Sequence, residues 1–540
     1  MNNLKVTISQ IKSVPGNIEY NTAKIIHYIT RAKKDGSDMI VFPESAVTGY
    51  MCLDYFLNRE FIENNTKAVK KIAKFTQGIT AIIGFVDYST ELGDDGTNLK
   101  YNSAAILEDG KIKDIVHKTI LPNYDIFSEK RYFVSGEERK VFDCKGVKYG
   151  VQICADLWDE NYPIKITHEQ VKRGADLIIN LSASNFFDQK KELRYLEVIN
   201  KTQKYQVDFI YVNVVGCYDG YRGQSLFDGH SFVLDKNSKC IKSCNSFAED
   251  YCQVDFAKRN RVAEYVFDET KDVYEGLIYG IRQFYKQSPA EKAFIRLGKN
   301  YNSALLCELA ARAIGHENLV GIVFGDDSEN LTGRKVAKKL GIQIHMLKTD
   351  DFINLKDKKD KHYLIGLRNL IVDNLVLSKN GVLLSSVDKT DLSLGINIKN
   401  FGESLQLAPI NDLHKNKIID ICKYVNQLKG EELVPSNILK RKVKIELEEG
   451  DLDKEIASIN IDILSELIED IIAQNLEIKN LYKKYGKELV LKIFDKINGS
   501  EYKRRLAPPG IKVMEKSFGN GRRMPVFLAR DKTRRFVAKD

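Results

Sequence analysis

Tryptophan occurs once in this 540-residue chain, methionine six times and proline ten times. Proline this scarce excludes a collagen-like or proline-rich linker protein. No apolar run reaches the ~18 residues that a membrane-spanning helix needs. The opening MNNLKVTISQIKSV lacks a charged head followed by an apolar block and a small-residue cleavage site, so no secretory leader is expected and the cytoplasm is the expected location. Cysteine is present but without a frame. The residues at 52, 144, 154, 217, 240, 244, 252, 307 and 422 are odd in number and irregular in spacing, which excludes a disulfide scaffold and points to free thiols in a reducing compartment. Only Cys240 and Cys244 have a spacing that could begin a metal site; with no second matched pair they are read as core or surface thiols.

A strong excess of one charge is also missing. The 83 basic and 74 acidic residues leave a net charge of +9, a small fraction of a heavily charged surface. Attraction to nucleotide phosphates is permitted, while neither a nucleic acid nor a membrane is an expected partner. The basic residues concentrate near the C-terminal end, in Lys503, Arg504, Arg505, Arg522, Arg523, Lys532, Arg534 and Arg535. What is plentiful is ordinary globular material, 43% hydrophobic and 29% charged. At roughly 100–200 residues per domain, the length calls for two domains or more.

The apolar pattern supports an α/β architecture. β-branched runs such as LKVTISQI, DMIVFPE, TAIIGFVDY, KYGVQIC, ADLIINLSAS and DFIYVNVV alternate with helical stretches in the first half. Several are apolar on both faces, as a buried sheet requires. In NTAKIIHYITRAKKDG, Ile25, Ile26, Ile29 and Ala32 share one helical face that stops at a glycine. The pattern weakens into charged sequence after Asp255 and then restarts as alternating helices and strands, from AFIRL through NLVGIVFG to IQIHML. Repeated strand–helix–strand order predicts a doubly wound parallel sheet. The expected division is a first domain over 1–258, a linker over 259–272 and a second domain over 273–540.

Three segments of the first half end apolar runs with reactive side chains. They are VFPESAVTGY with Glu44, HKTILPNYDIFSEKRYF with Lys118, and KYGVQICADLW with Cys154 ahead of Asp156 and Trp158. A thiol becomes a good nucleophile when a neighbour takes its proton, and amide cleavage needs a cation for the oxyanion. Singly, each residue has an ordinary reading as an inert thiol, a capping acid or a solvated lysine. Together, in this order, they resemble the nitrilase or carbon–nitrogen hydrolase superfamily over roughly residues 3–256. LPNYDIFSEKRYF looks more specifically like the glutaminase domain of glutamine-dependent NAD synthetases. The resemblance implies a nitrilase-like αββα sandwich, Glu44 as general base, Cys154 as nucleophile and Lys118 as stabiliser of the transition state. It further implies that Glu129 is a second acid near the triad and that Tyr124, Ser182, Ser184 and Lys190 hold glutamine. Ala155 stands where the family pattern Cys-Glu-Asp-x-Trp has an acid expected to bind the substrate's ammonium group.

The second half is similar to the NAD synthetase domain over about residues 270–530. The likeness is carried by VDKTDLSLGINIKNFGESLQLAPINDLHKNKI, EYKRRLAPPGIKV and SFGNGRRMPV. It implies an adenine nucleotide α-hydrolase or Rossmann-like fold that amidates deamido-NAD, with ATP and Mg2+ serving adenylation and ammonia arriving from the glutaminase half through a protected channel. Paired synthetase domains and a homo-oligomer are implied as well. Ser303, Lys389, Asp391 and Lys415 are the implied nucleotide-binding residues. The phosphate turn departs from the family. Ser-Gly-Gly-x-Asp-Ser reads Gly298-Lys299-Asn300-Tyr301-Asn302-Ser303, and Gly-Thr-Gly-Asn-Lys-Ser-Glu reads Ser385-Ser386-Val387-Asp388-Lys389-Thr390-Asp391. Three functions follow from the sequence. They are a glutamine-dependent NAD synthetase, an amidase with a noncatalytic second domain, and a noncatalytic nucleotide-sensing or interaction protein.

Overall fold

The computed structural model describes residues 4–526 apart from 94–95, 221, 259–264, 326–330, 350–360, 397, 399–401, 440–455, 457, 474–476 and 520. Lys532, Arg534 and Arg535, and residues 259–264 of the expected linker, lie outside the described residues. The chain divides into two compact units, one built from residues 1–220 and 225–269, the other from 221–224 and 270–540.

In the first unit the doubly apolar runs form two six-stranded sheets. One contains β1 (Lys5–Gln10), β2 (Met39–Val41), β3 (Thr80–Leu92), β4 (Asn98–Glu108) and β5 (Lys111–His117). The other contains β6 (Val141–Cys144), β7 (Val147–Ile153), β8 (Leu177–Ser182) and β9 (Asp208–Asn213). Strands β10 (Val215–Gly220) and β11 (Gly223–Asp228) follow, and β12 (Phe232–Leu234), β13 (Cys240–Ser243) and β14 (Asp250–Asp255) finish the two sheets, whose orders are β14-β1-β2-β3-β4-β5 and β13-β12-β9-β8-β7-β6. The middle strands, β1-β2-β3 and β7-β8-β9, are parallel. Val6, Ile8, Val41, Ile82 and Ile106 meet Val151, Ile153, Ile179, Leu181 and Ile210 in one core between the sheets. Because side chains alternate along a strand, Ile40, Ala81 and Ile83 point the other way. There they meet Ile25, Ile29, Val69 and Ile72 of α1 (Ile18–Lys34) and α2 (Arg59–Ala73). The second sheet is covered in the same manner, Val198 of α4 (Lys190–Tyr205) packing with Ile178 and Phe209, while α3 (Ile166–Lys172) precedes β8. The result is the expected αββα sandwich. At the start of α1, Asn17 accepts the backbone N–H of Tyr20, a capping role the sequence pattern of the helix left unassigned.

The second unit opens with α5 (Glu269–Gln287), which begins inside the expected linker. Five parallel strands follow, β15 (Lys292–Arg296), β16 (Leu319–Phe324), β17 (Gln343–Leu347), β18 (Gly381–Leu384) and β19 (Leu405–Leu407), in the order β17-β16-β15-β18-β19. Between them run α6 (Tyr301–Ile314), α7 (Thr332–Lys339), α8 (Lys361–Ser378) and α9 (Lys389–Leu394), with α10 (Lys415–Lys429) after β19. Successive strands depart to one side of β15 and then to the other. The crevice beyond the carboxyl ends of β15 and β18 is therefore the switch point, where open α/β sheets bind ligands. Among the described residues no helix is long and apolar enough to cross a membrane.

The seat of Glu44 depends on a missing side chain in β3. A Cβ on Gly84 would lie 2.4 Å from the Ser45 nitrogen and 2.5 Å from the Pro43 oxygen, and Val47 donates its N–H to the Gly84 carbonyl at 3.1 Å. Gly84→Ala should therefore cost about 2 kcal/mol in urea unfolding, the scale of overpacking a close backbone contact. A stability equal to that of the wild type would show that the loop can yield.

Candidate active site

Glu44, Lys118, Glu129 and Cys154 are brought together, all buried, in the first unit. Glu44 follows β2 and Pro43, and Lys118 follows β5, held by its own N–H to the Asn102 carbonyl and by Gly136 donating to the Lys118 carbonyl, both at 2.8 Å. The Lys118 ammonium donates to Glu44 Oε1 at 2.7 Å and to Glu129 Oε1 at 2.8 Å. Asn102 Nδ2 donates to Glu44 Oε1 at 2.7 Å, the Ala183 N–H to Glu44 Oε2 at 2.7 Å, and the Tyr50 hydroxyl to Glu129 Oε1 at 3.2 Å. Two carboxylates and one ammonium leave the cluster one negative charge when all are ionised.

Cys154 directly follows β7 and starts the one-turn helix Cys154–Leu157 with φ at +45°, and Ser45 beside Glu44 has φ at +50°. Left-handed backbone at a non-glycine residue costs of order 1 kcal/mol and persists only where the surroundings impose it, most often at functional sites. Burial pushes the Cys154 thiol up to about 12, with Glu44 adding to the rise and Lys118 opposing it. The resting sulfur is thus a thiol that needs a base. Burial outweighs the pull of Lys118 on Glu129 and pushes its carboxyl up to about 7. Lys118 is held well above the ordinary lysine range, because the carboxylates Glu129 and Glu44 outweigh the burial that opposes its charge.

The residues expected to hold glutamine divide. Ser182 Oγ donates to Asn180 Oδ1 at 2.6 Å, which commits its hydroxyl, whereas Ser184 is tied through its backbone, its N–H donating to Asn213 Oδ1 at 2.9 Å. The Lys190 ammonium stands 4.2 Å from the centre of the Trp158 ring, a cation on an aromatic face. Tyr124 is 61% exposed and touches Phe127 edge-on. Ala155 is packed with Ile120 and Ile166, so the methyl that replaces the family acid lies in an apolar cluster.

In the second unit both altered segments face the crevice, Gly298–Ser303 after β15 and Ser385–Asp391 after β18. The Ser303 hydroxyl accepts the Gly298 N–H at 3.0 Å. Asn302 Nδ2 donates to Asp388 Oδ2 at 2.8 Å and to the Ser386 carbonyl at 3.1 Å. The family pattern has Asp where this chain has Asn302, and Asn where it has Asp388. The acid of this pair thus stands at 388 and the amide at 302, across one hydrogen bond. Lys415 is ion-paired with Asp388 and reaches Asp391 at 3.3 Å. Lys389 turns instead to Glu469 at 2.9 Å, the Lys516 carbonyl at 2.7 Å and Asp412 at 3.4 Å. Asp388 and Asp391 are buried and both engaged by Lys415, a set that does not fit Mg2+, which prefers carboxylates free to join a hydrated octahedron. Lys299 is exposed. Arg504, from the basic cluster, donates to the carbonyls of Leu392 and Ser393 at the end of α9, a structural cap for the helix carrying Lys389 and Asp391.

Cys240 and Cys244 do not pair as ligands. Cys240 donates to the Lys242 carbonyl at 3.4 Å. Cys244 instead lies with Cys252 and Asp250, ligand atoms within 4.8 Å of one another and the one such grouping among the described residues. Asp250 already accepts from Asn245 twice at 2.9 Å and from the Tyr251 N–H at 2.8 Å, so the group is satisfied as it stands.

Comparison with known proteins separates the halves in the same way. Residues 5–265 match the Carbon-nitrogen hydrolase family and residues 273–507 match NAD synthase. Curated relatives extend over both. The glutamine-dependent NAD(+) synthetase of Synechocystis sp. is 28% identical over 97% of this chain and 98% of its own length, and that of Thermotoga maritima is 27% identical over 97% and 99%. The structure of the glutamine-dependent NAD+ synthetase of Acinetobacter baumannii in complex with ADP is 25% identical, with a TM-score of 0.71 over 97% of this chain and 98% of that one. The chain joins a carbon-nitrogen hydrolase domain to an NAD synthase domain and is similar to glutamine-dependent NAD(+) synthetases along nearly its whole length.

Sequence reasoning missed Asn102, Tyr50 and the Ala183 N–H. Asn102 had a signal, a polar residue inside the apolar run YNSAAIL, but its direction needs the register of β4 on β3. A backbone N–H has no side-chain signal at all.

Two outcomes are expected from this geometry. As pH falls through about 7, Glu129 takes up a proton and withdraws its charge from Lys118, so kcat/KM for amide cleavage should fall. Glu129→Gln should be at least ~10-fold slower at neutral pH and lack that limb, and a limb retained in the variant assigns it to another group. In the crevice, Asn302→Asp alone sets two carboxylates against each other and should destabilise by about 2 kcal/mol. Adding Asp388→Asn should recover most of that loss, a coupling of about 1–3 kcal/mol in a urea double-mutant cycle; additive losses would show that 302 and 388 act separately.

Proposed function

We infer that this protein makes NAD by amidating deamido-NAD with ammonia taken from glutamine, ATP activating the carboxylate. The observation that carries the reading is the Lys118 ammonium buried between Glu44 and Glu129 beside the strained Cys154, in a chain whose other half is an NAD synthase domain.

Glu44 takes the thiol proton as the Cys154 sulfur attacks the side-chain amide carbon of glutamine, the step required of a thiol held neutral at rest. Lys118, fixed by two carboxylates, donates to the oxyanion that forms. Glu44 returns the proton to the departing ammonia, leaving a glutamyl thioester on Cys154. Water activated by the same carboxylate then releases glutamate. Lys190 over Trp158 offers a cation for the carboxylate end of the substrate. In the second half, Ser303 and the turn after β15 face the place where the nucleotide phosphates would lie. The deamido-NAD carboxylate attacks the α-phosphorus of ATP, pyrophosphate leaves, and ammonia then displaces AMP from the acyl adenylate to form the amide. No step is assigned to Mg2+, because Lys415 holds both Asp388 and Asp391.

That same engagement, with side chains at 299 and 300 in place of the two family glycines, favours a second reading in which the first half hydrolyses amides and the second no longer adenylates. NAD formation from deamido-NAD and ATP, run once with glutamine and once with ammonium chloride, separates the two. NAD from both nitrogen sources is expected, with Cys154→Ala abolishing only the glutamine-driven reaction. Ammonia release without NAD from either source would establish the second reading, and ammonia release unchanged in Cys154→Ala would remove the thiol from the mechanism.

A further inference from the structure

Asp156 takes no part in the chemistry above, yet it is only 2% exposed and both its oxygens are engaged. Oδ1 accepts the Thr119 N–H at 3.0 Å and the Ile120 N–H at 2.8 Å, and Oδ2 accepts the Ile153 N–H at 3.1 Å. Thr119 and Ile120 directly follow Lys118, and Ile153 directly precedes Cys154. The carboxylate therefore ties the segment bearing the ammonium to the segment bearing the thiol.

The two segments come from different sheets. Lys118 leaves β5 at the edge of the first sheet, and Cys154 leaves β7 of the second. Their facing surfaces are joined by apolar packing, which sets a separation but no direction. Hydrogen bonds to a carboxylate are directional and stronger than those between neutral groups. Burial pushes the Asp156 carboxyl up to about 6, so at pH 7.5 it is an anion that only accepts, matching three donors. On the far side, Asn102 and Gly136 already hold the Lys118 backbone. With Asp156, the segment is fixed from both sides.

We propose that Asp156 is a positioning residue, the clamp that sets Lys118 against Cys154 across the two sheets. This rests on the reading of Lys118 and Cys154 as the amide-cleaving pair. Without the clamp three buried N–H groups lose their acceptor and the segments are free to shift. A displacement of ~1 Å in such a constellation costs about 100-fold in rate.

The test compares wild type with Asp156→Asn, which replaces one acceptor oxygen by a donor, and with Asp156→Glu, which keeps the charge and moves it one methylene. Each protein is checked for a cooperative melt, then assayed for ammonia release from glutamine at pH 7.5. The alkylation of Cys154 by iodoacetamide is followed by peptide mass spectrometry. Expected for both variants is a kcat lower by about 10–100-fold with KM within about threefold, and a parallel change in the alkylation rate, since the thiol has lost its fixed neighbours. A merely structural role would move the melt and leave the alkylation of folded protein alone. Either folded variant with kcat and alkylation within about twofold of wild type overturns the clamp, as does a kcat loss with unchanged alkylation. If Asp156→Asn does not fold, Asp156→Glu decides by the same two readouts. Wild-type protein that releases no ammonia overturns the functional reading instead, and the alkylation comparison still judges the clamp.

Discussion

The first unit is organised around one buried cation. Removing an ammonium and two carboxylates from water costs several kcal/mol per ion, and the cost is offset only when each charge meets well-placed partners. Lys118 meets Glu44 and Glu129, and those acids in turn meet Asn102, Tyr50 and the Ala183 N–H. These partners come from β4, from the loops after β2, β5 and β8, and so from both sheets. The sandwich must close in a single register for the charges to be paired. The same requirement accounts for the absence of a side chain at Gly84 and for the left-handed backbone at Ser45 and Cys154, which place the acid and the thiol where the cation is.

The second unit solves a related problem with an internal cation. At the switch point of its parallel sheet, Asp388 and Asp391 are buried and Lys415 neutralises part of their charge. Asn302 completes the group by donating to Asp388. The phosphate turn carries the amide and the loop after β18 carries the acid, with one hydrogen bond between them. Lys389, one residue away from Asp388, faces Glu469, Asp412 and the Lys516 carbonyl, so the lysines that open α9 and α10 serve separate clusters.

The strands were legible because each buried run is apolar on both faces, and the helices because their apolar positions recur at helical spacing, as Ile25, Ile29 and Ala32 do in α1. The strand-end residues Glu44, Lys118 and Cys154 were legible through their resemblance to a family, and the structure brings them together with Glu129. The Ser182 hydroxyl is committed to Asn180, the Ser184 backbone is tied to Asn213, and Ala155 lies among isoleucines, none of which spacing could reveal. Cys240 and Cys244 look like a pair in sequence, but it is Cys244 and Cys252 that approach, because β13 and β14 belong to different sheets and the chain turns between them.

By itself the sequence determined the two-part α/β architecture, the absence of a disulfide frame and the reactive side chains at strand ends. These depend on local periodicity and residue chemistry, which are written in order along the chain. Only the tertiary structure decided which charge pairs with which. Lys118 takes Glu44 from 74 residues away and Glu129 from 11, and Asn302 takes Asp388 from 86. Such pairings are set by sheet register and by the cost of leaving a buried charge alone, and neither is visible until the strands are side by side.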